Sequence, residues 1–286
     1  MKAVLLAAGK GTRLGSITAE TPKPLLSVRG TPVLRHLAAL CAEHGVTDLC
    51  INTHYLAERI HEAMGDGSDI GLRIHYSLEK ELLGTAGALR NFQALLGSEA
   101  FFVIYGDNFM DYDLGAFAAF HHSHGGIGTV ALYEKEDVRH SGIAVLDEKN
   151  RITRFIEKPT PEQRVSHLVN CGLYILEAEI FDDIPAGVQD FGKDVFPALL
   201  AQGKELYGMV MDRPLIAIDT VEMYQDAMLR DNNDHSTNES DPAKSVEMYQ
   251  DAMLRDNNDP STDESDPAKS VDEKSSSDEQ GHGNAA

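Results

Sequence analysis

An α/β fold, with a mostly parallel sheet and helices on both faces, is predicted by three features of the sequence. Strand-like apolar segments alternate with helix-like segments along most of the chain, which is typical of β-α-β units. The first apolar segment, Val4–Leu6, runs into a glycine-rich turn that carries two cations. A later one, Phe101–Ile104, is followed by Gly106 and Asp107. Because such sheets bind ligands at the carboxyl ends of their strands, the opening turn is expected to face a ligand.

The alternation is regular enough to assign each element in order. The predicted strands are Lys2–Leu6, Asp48–Asn52, Leu72–Tyr76, Phe101–Tyr105, Thr129–Tyr133, Ile143–Leu146, Leu173–Leu176 and Glu205–Met211, with a strand-like stretch at Arg151–Arg154. The predicted helices are Val33–His44, Ala57–Met64, Thr85–Leu96, Leu114–Ser123, Glu177–Ile184, Asp194–Gln202 and an amphipathic terminal helix at Val221–Leu229.

The opening turn has the properties of a phosphate site. The segment Val4–Leu14 reads VLLAAGKGTRL, and a third cation, Lys23, follows between two prolines. Glycine allows the backbone to approach a ligand closely, so that N–H groups can face it. Arg13 and Lys23 supply positive charge for phosphate oxygens. The nucleotide-binding candidates in this turn are Leu6, Ala8, Gly9, Gly11, Thr12 and Arg13.

Two familiar glycine motifs fail at this turn. A dinucleotide fingerprint needs G-x-G-x-x-G and an acid about twenty positions later, whereas Gly9, Gly11 and Gly15 have another spacing and Arg29 stands near the place of the acid. A P-loop needs Gly-Lys-Ser/Thr at the end of the turn, but Thr12 follows Gly11. A plain strand-to-helix turn is the remaining alternative, and the two cations argue against it.

The turn GKGTRL and the later PKP of Pro22–Pro24 closely resemble the signature of sugar-1-phosphate nucleotidyltransferases. The resemblance covers residues 1–228 and implies a Rossmann-like, mostly parallel mixed sheet. It implies transfer of a nucleotidyl group from an NTP to a sugar 1-phosphate, with release of pyrophosphate. The attacking phosphate oxygen is already an anion, so catalysis needs alignment and charge neutralisation rather than a general base. The implied catalytic cations are Arg13, Lys23 and Lys158.

The same resemblance implies a Mg²⁺ cofactor. Asp107, at the end of an apolar strand, occupies the position of the family's metal-binding Asp, and a carboxylate there suits Mg²⁺ near phosphates. The second ligand is less regular, because Ala217 stands where the family places an Asp and Asp219 stands two residues later. One interpretation is that Asp219 reaches the metal from this shifted position. The other is a site with a single carboxylate ligand and reduced activity.

A second glycine-containing loop, Leu83–Gly87, lies between a predicted strand and a predicted helix. Thr85 is a good helix N-cap, and in the resembling family this loop contacts the nucleobase. Gly84, Thr85 and Glu79 are therefore nucleotide-binding candidates. The form LGTAG looks most like the guanylyltransferase branch, which favours GTP with mannose or heptose 1-phosphate. Thymidylyl, uridylyl or cytidylyl transfer to a glucose-type 1-phosphate is the alternative.

The sugar-binding candidates come from three later positions. The sequence Phe155–Pro159 contains the EKP that is a hallmark of the family, in which the Glu binds sugar hydroxyls and the Lys pairs with the sugar phosphate. The segment Asn170–Tyr174 resembles the family's N-x-G-x-Y, and Ser141-Gly142 resembles a glycine whose backbone faces the sugar. The implied sugar-binding residues are Gly142, Glu157, Asn170 and Gly172.

The negative charge of the chain is concentrated near its end. The formal net charge is −21, and residues from Asp231 onward hold fifteen acidic and four basic side chains. This stretch is polar and poor in aromatic residues, so residues 229–286 are predicted to be a disordered tail. Residues 246–270 repeat residues 221–245 with two differences. The predicted catalytic domain spans residues 1–228.

Composition also bears on partners and location. The acidic balance argues against nucleic acid, whose phosphates would be repelled, and no segment is long and apolar enough to cross a bilayer. Three cysteines without C-x-x-C spacing favour a reducing, cytoplasmic location. The expected partners are an NTP and a sugar 1-phosphate. Members of the resembling family often self-associate, which favours a homo-oligomer.

A non-catalytic role is an alternative of a different class. Pyrophosphorylase-like domains also occur as regulatory subunits, which bind nucleotide or sugar without turnover. Ala217 favours this alternative, whereas Arg13, Lys23, Asp107 and Lys158 favour catalysis.

Overall fold

The computed structural model describes residues 1–212 and 215–234. The strands are β1 (Lys2–Leu6), β2 (Ser27–Val28), β3 (Thr31–Pro32), β4 (Asp48–Thr53), β5 (Arg73–Leu78), β6 (Phe101–Tyr105), β7 (Asn108–Phe109), β8 (Gly128–Glu134), β9 (Gly142–Leu146), β10 (Ile152–Glu157), β11 (Leu168–Leu176), β12 (Leu206–Val210) and β13 (Ile216–Ala217). The α-helices are α1 (Ile17–Glu20), α2 (Val33–Glu43), α3 (Ala57–Met64), α4 (Gly84–Gly87), α5 (Gln93–Leu96), α6 (Leu114–His124), α7 (Phe196–Ala201) and α8 (Val221–Asp234).

The predicted tail falls mostly outside this part of the chain. Helix α8 continues past the predicted domain boundary at residue 228 as far as Asp234. Residues 235–286, including the copy at 246–270, lie outside the described residues. The disordered tail therefore stays a prediction from the sequence.

Nine strands of the described chain form one mixed sheet, in the order β10-β9-β11-β6-β1-β4-β5, with β8 beside β11 and β12 beside β8. Strands β5, β4, β1 and β6 are parallel neighbours, whereas β11 runs antiparallel to β6, β8 and β9. The predicted α/β fold on a mixed sheet is confirmed. Because β1, β4 and β6 are adjacent and parallel, the loops that follow them meet at one edge.

Alternate residues of β1 pack into two separate cores. Ala3 and Leu5 belong to a core that also contains buried side chains of α2, α3, α6 and α8. Val4 belongs to a second core, which contains other strand residues and buried side chains from residues 86–96 and 180–199. All three side chains are fully buried, so the centre of the sheet is covered on both faces, as parallel sheets require.

The predicted helix over Thr85–Leu96 is wrong in detail. The chain forms the short helices α4 and α5 with a 3-10 segment, Ala88–Phe92, between them. The start of α4 is held by another part of the chain, because the carbonyl of Gln189 accepts hydrogen bonds from the N–H groups of Ala86 and Gly87, at 2.9 and 3.2 Å. This contact fixes one turn of α-helix, and the residues that follow form the narrower 3-10 helix.

The predicted helices at Glu177–Ile184 and Asp194–Gln202 also differ from the structure. The first is only a 3-10 segment, Ala178–Asp182. The second begins with a π-helical segment, Phe191–Val195, before α7. Pro197 lacks the N–H that would continue a regular helical ladder back to residue 193, so the helix changes its hydrogen-bond pattern just before it.

No described helix has both the length and the apolar character that crossing a bilayer requires.

Asp48 ties two parallel strands together at the amino-terminal edge of the sheet. Its carboxylate accepts hydrogen bonds from Arg73 Nε at 3.0 Å and Nη2 at 2.8 Å, and His75 Nε2 lies 3.1 Å away. The hydrogen bonds of Arg73 hold the pKa of Asp48 well below its usual value, against the opposing effect of burial. The folded protein therefore favours the ionised carboxylate.

We expect Asp48→Asn to lower the unfolding free energy at neutral pH more than at low pH. A depressed folded-state pKa stabilises the fold above the unfolded pKa, about 3.9, and this contribution is lost as pH falls towards the folded pKa. Urea denaturation at neutral pH and at about pH 3 measures the difference. Glu58→Gln, at an exposed site on α3, is the charge-matched control. An equal deficit of the Asp48 variant at both pH values would contradict the assignment.

Candidate functional site

A cavity of about 390 Å³ opens where the loops after β1, β4 and β6 meet. Twelve of the residues selected from the sequence line it: Leu6, Ala8, Gly9, Gly11, Thr12, Arg13, Lys23, Glu79, Gly84, Thr85, Asp107 and Asp219. Five others do not: Gly142, Glu157, Lys158, Asn170 and Gly172. The predicted nucleotide and metal residues thus share one cavity, and the predicted sugar residues lie beside it on β9, β10 and β11 or just after β10.

The opening turn is anchored at both of its ends. At its start, the N–H of Ala7 donates to Asn52 Oδ1 at 2.7 Å. Further along, Thr18 Oγ1 donates to the carbonyl of Gly11 at 3.1 Å. Within the described residues, no backbone carbonyl accepts from the N–H groups of Ala8 and Gly9, so these donors are available to an anion in the cavity.

Four charged side chains meet beside this turn. Lys23 is 5% exposed, and its Nζ lies 2.5 Å from Asp107 Oδ2 and 2.5 Å from Asp219 Oδ1. Arg13 Nη2 lies 3.1 Å from the same oxygen of Asp219. The two carboxylates proposed from the sequence as metal ligands therefore face one point, at which an ammonium group lies in this structure.

A two-strand ribbon brings the carboxylates together. Strands β7 and β13 pair antiparallel, with Asn108 opposite Ala217. Asp107 immediately precedes β7, and Asp219 follows β13 by two residues. Ala217 is thus a strand residue of this ribbon, and it is Asp219 that reaches Lys23.

The charges within this cluster stabilise one another. Burial of Lys23 lowers its pKa, but Asp107 and Asp219 outweigh burial and raise the pKa above its usual value. Burial of Asp219 raises its pKa, but the charge and hydrogen bond of Lys23 and the charge of Arg13 lower it overall. Both partners are therefore held in their charged forms.

The pair of carboxylates fits a magnesium ion that is shared with a substrate. Mg²⁺ is usually held by one or two protein carboxylates plus phosphate oxygens and waters, rather than by a complete protein cage. In the described part of the chain, no three His, Cys, Asp or Glu side chains are grouped as a metal site. Asp107 and Asp219 are the two that converge, next to the turn that offers N–H groups to phosphate.

Glu79 is held by the protein itself. It is 3% exposed, its Oε1 accepts from Asn52 Nδ2 at 2.7 Å, and its Oε2 accepts from the N–H of Leu83 at 2.9 Å. The side chain lines the cavity but already has two donors.

The loop at Gly84 makes a tight contact with a distant segment. Gly84 has φ +75°, and a Cβ at this position would lie 2.3 Å from the carbonyl oxygen of Gln189. The expected N-cap role of Thr85 is wrong, because Leu83 occupies the N-cap of α4. The hydroxyl of Thr85 instead donates to Asp190 Oδ2 at 3.1 Å and accepts from the N–H of Phe191 at 2.9 Å.

Glu157 lies among backbone atoms next to the cavity. A Cβ on Gly142 or Gly192 would stand 2.6 or 2.7 Å from its Oε2, so the carboxylate packs closely against both glycines. Burial, and then the negative charge of Asp190, raise the pKa of Glu157 above its usual value. A carboxylate in such a place gains from hydroxyl donors, which is what the predicted sugar role requires.

Asn170 is fixed at an irregularity of β11. Its Oδ1 accepts from the N–H of Gly172 at 2.9 Å, and its Nδ2 donates to the hydroxyl of Tyr174 at 2.7 Å. The register of β11 against β8 shifts between Asn170 and Tyr174, which turns this stretch out of the regular ladder.

Lys158 stands in a strained backbone conformation. Its φ is +50°, although it precedes Pro159, and a residue before proline favours extended conformations. The side chain is exposed. The backbone N–H of Lys158 donates to the carbonyl of Ser141 at 3.1 Å. This bond joins the end of β10 to the start of β9, on the side of the cavity where the predicted sugar residues lie.

Comparison with known proteins agrees with this geometry. The family model described as nucleotidyl transferase matches residues 2–215. The chain belongs to the nucleotidyl transferase family. The UTP–glucose-1-phosphate uridylyltransferase of Synechocystis sp. is 36% identical over an alignment of 242 residues that covers 80% of this chain and 62% of that protein. The mannose-1-phosphate guanylyltransferase of Mycobacterium tuberculosis is 37% identical over 210 residues, which are 73% of this chain and 58% of that protein.

A solved structure has the same fold. HddC from Yersinia pseudotuberculosis, complexed with GMP-PN, superposes with a TM-score of 0.68 and 27% identity, over 80% of this chain and 98% of that one. The chain spans about three fifths of the length of the two curated nucleotidyl transferase relatives it matches. The recognition made from the sequence is confirmed at the level of the family.

Several cavity residues were not selected from the sequence: Ala7, Pro24, Asn52, Leu82, Tyr105 and Asp190. Asn52 and Tyr105 end predicted strands, so the argument that placed Asp107 at a strand end could have found them. Asp190 had no such signal. It reaches the cavity because its segment docks on α4, a contact between residues about a hundred positions apart.

We expect Gly84→Ala to lower the unfolding free energy by about 1–3 kcal/mol more than Gly71→Ala. Both glycines have φ near the same value, +75° and +77°, but a Cβ on Gly71 meets nothing within 4 Å. The loss of unfolding free energy in Gly71→Ala therefore measures the cost of the backbone conformation alone. The additional loss in Gly84→Ala measures the clash with Gln189. Thermal and urea unfolding measure it. Equal losses would show that the loop is free to move away from residue 189.

Proposed function

We propose that the chain transfers a nucleotidyl group from an NTP to a sugar 1-phosphate, giving an NDP-sugar and pyrophosphate. The convergence of Lys23, Arg13, Asp107 and Asp219 beside the opening turn carries this proposal. It combines anion donors, two cations and two carboxylates, which is the set that phosphoryl chemistry needs. Family membership supports the same reaction class.

In this mechanism each part of the cavity has its own task. The N–H groups of the opening turn and Arg13 bind the β- and γ-phosphates and stabilise the charge that develops on the leaving pyrophosphate. Lys23 lies deeper and steadies the α-phosphate or the sugar phosphate. Lys158 aligns the attacking sugar phosphate, whose oxygen displaces pyrophosphate in line at the α-phosphorus. Glu157 and Asn170 bind sugar hydroxyls, and the backbone at Gly142 and Gly172 faces the sugar.

Asp107 and Asp219 would hold Mg²⁺. When bound, the ion would supply positive charge to the phosphate oxygens and orient the α-phosphate. Lys23, which contacts both carboxylates here, would then be free to turn its ammonium group to the substrate phosphate.

The substrates we favour are GTP with mannose or heptose 1-phosphate. The LGTAG loop supports this choice, as does the guanylyltransferase among the relatives. The uridylyltransferase relative is of comparable identity and supports UTP with glucose 1-phosphate as the next candidate, before dTTP and CTP. We further propose that the protein is cytoplasmic, because its buried cysteines are unpaired. We also propose that it is a homo-oligomer, because members of the family often self-associate.

A regulatory subunit without turnover is the second candidate, and Ala217 was its support. The ribbon of β7 and β13 weakens that support, because Asp219 stands beside Asp107 at Lys23.

Pyrophosphate release, screened with a panel of NTPs against several sugar 1-phosphates, is the direct test of the reaction. One pair should give turnover well above all others. Binding of nucleotide without release for any pair would favour the regulatory subunit.

We expect Arg13→Ala to lower turnover by about a hundredfold or more and to leave the fold intact, because its side chain is largely exposed and is assigned to the leaving charge. Arg59→Ala, at an exposed position on α3, removes the same charge away from the cavity and should retain activity. Steady-state rates and thermal unfolding separate the two effects. Near-normal turnover of the Arg13 variant would refute its role.

We expect Asp219→Asn to raise the Mg²⁺ concentration for half-maximal turnover by about tenfold or more, because one of two ligands loses its charge. Asp111→Asn, at an exposed site close to β7, is the control. Metal titration of turnover and direct Mn²⁺ binding measure the effect. Unchanged metal dependence in both assays would assign the metal to Asp107 without Asp219.

A further inference from the structure

A short hydrogen-bond relay joins four segments at the rim of the cavity. Ala7 follows β1, Asn52 lies near the end of β4, Glu79 follows β5, and Leu83 precedes the Gly84 loop. The N–H of Ala7 donates to Asn52 Oδ1 at 2.7 Å, Asn52 Nδ2 donates to Glu79 Oε1 at 2.7 Å, and the N–H of Leu83 donates to Glu79 Oε2 at 2.9 Å. The relay thus links the phosphate turn to the Gly84 loop, and residues of both line the cavity.

The middle of the relay is rigid. Asn52 and Glu79 are 3% exposed each. The backbone N–H of Glu79 donates to the carbonyl of Thr53 at 2.8 Å, and the carbonyl of Glu79 lies 2.9 Å from His54 Nδ1. Since both its backbone and its carboxylate are held, Glu79 has little freedom to reorganise for a ligand.

The direction of each bond in the relay is determined by chemistry. A backbone N–H can only donate, so Asn52 must turn its oxygen to Ala7 and its amide nitrogen to Glu79. Glu79 then has to accept from two donors, one on each oxygen, which an ionised carboxylate does and a neutral amide does not. Glu79 therefore sets the orientation of Asn52, and Asn52 sets the position of the Ala7 N–H.

We propose that Glu79 is a positioning residue that couples the phosphate turn to the Gly84 loop, and that it does not select the nucleobase. The proposal rests on the proposed nucleotidyl transfer only for its kinetic consequence. It replaces the base-contacting role that the sequence suggested, because Glu79 is 3% exposed and each of its carboxylate oxygens is turned to a protein donor. Base preference must then arise from other atoms of the cavity.

The first test uses amide hydrogen exchange of the full-length chain, read at Ala7 and Leu83 by NMR. In Glu79→Gln, one of the two donors faces an amide NH₂ in place of an oxygen. Exchange at Leu83, at Ala7 or at both should then be about tenfold faster or more. Glu81→Gln, an exposed change in the same loop, should leave both amides as they are. Unchanged protection in Glu79→Gln would overturn the proposal, whether or not the chain is an enzyme.

A reversed relay gives the sharper test. In the double variant Asn52→Asp with Glu79→Gln, the new carboxylate at position 52 accepts from the N–H of Ala7 and from the new amide NH₂ at position 79. The amide oxygen at position 79 still accepts from the N–H of Leu83. All three bonds are then present, the one between positions 52 and 79 runs in the opposite direction, and the net charge is unchanged.

The single variant Asn52→Asp places two carboxylates together. Its amides at Ala7 and Leu83 should therefore exchange faster than those of the other variants. The double variant should recover the protection at both amides. Its failure to do so would overturn the relay even if a single variant does not fold.

The kinetic arm then separates positioning from base selection. With a positioning role, Glu79→Gln lowers kcat/KM about tenfold or more for every NTP alike, and the double variant recovers most of that loss. With a base-selecting role, the ratio of kcat/KM between GTP and the other NTPs changes in Glu79→Gln and stays changed in the double variant, which overturns the proposal. If the wild type releases no pyrophosphate, the proposed function fails, and the exchange measurements still decide the relay.

Discussion

The buried ammonium group of Lys23, held between Asp107 and Asp219, is the contact on which the candidate site depends. Taking one ion out of water costs several kcal/mol after relaxation, so a buried cation without partners would be strongly destabilising. Two carboxylates at 2.5 Å offset that cost. Neither partner comes from the same part of the chain as Lys23. The contact therefore forms only when the opening turn, the end of β6 and the β7–β13 ribbon are all in place.

The parts of the fold that repeat a pattern were predictable. Strands β1 and β6 and helix α3 have the predicted bounds, since an apolar run or a helical period identifies them and flanking glycines or polar residues end them. The rule that ligands meet strand ends placed the opening turn and Asp107 at the same edge of the sheet, and residues of both line the cavity. The sequence left open whether Asp219 or Asp107 alone would hold the metal, and the pairing of β7 with β13 brings Asp219 to Lys23 beside Asp107.

The elements that were missed depend on contacts between distant residues. Strands β7 and β13 have two residues each, which is too short for any period. The break in the helix after Gly87 and the hydrogen bonds of Thr85 depend on the segment at Gln189 and Asp190. Glu79 was predicted to bind the nucleotide, but only the structure shows that its carboxylate accepts from Asn52 and from the N–H of Leu83. Local sequence patterns do not reveal which distant residues become contact partners in the fold.

The position of the ribbon also has a consequence for the order in which the molecule assembles. Strands β1, β4, β5 and β6 lie within the first 105 residues, so their parallel pairing can begin while later residues are still being synthesised. Lys23 is present at that stage and Asp107 follows two residues later, but β13 begins only at Ile216. Contacts of such sequence separation form slowly because a long loop must close first. The charge cluster therefore completes late, and a nascent chain passes through a stage at which its four parallel strands are present while Asp219, the second partner of Lys23, is not.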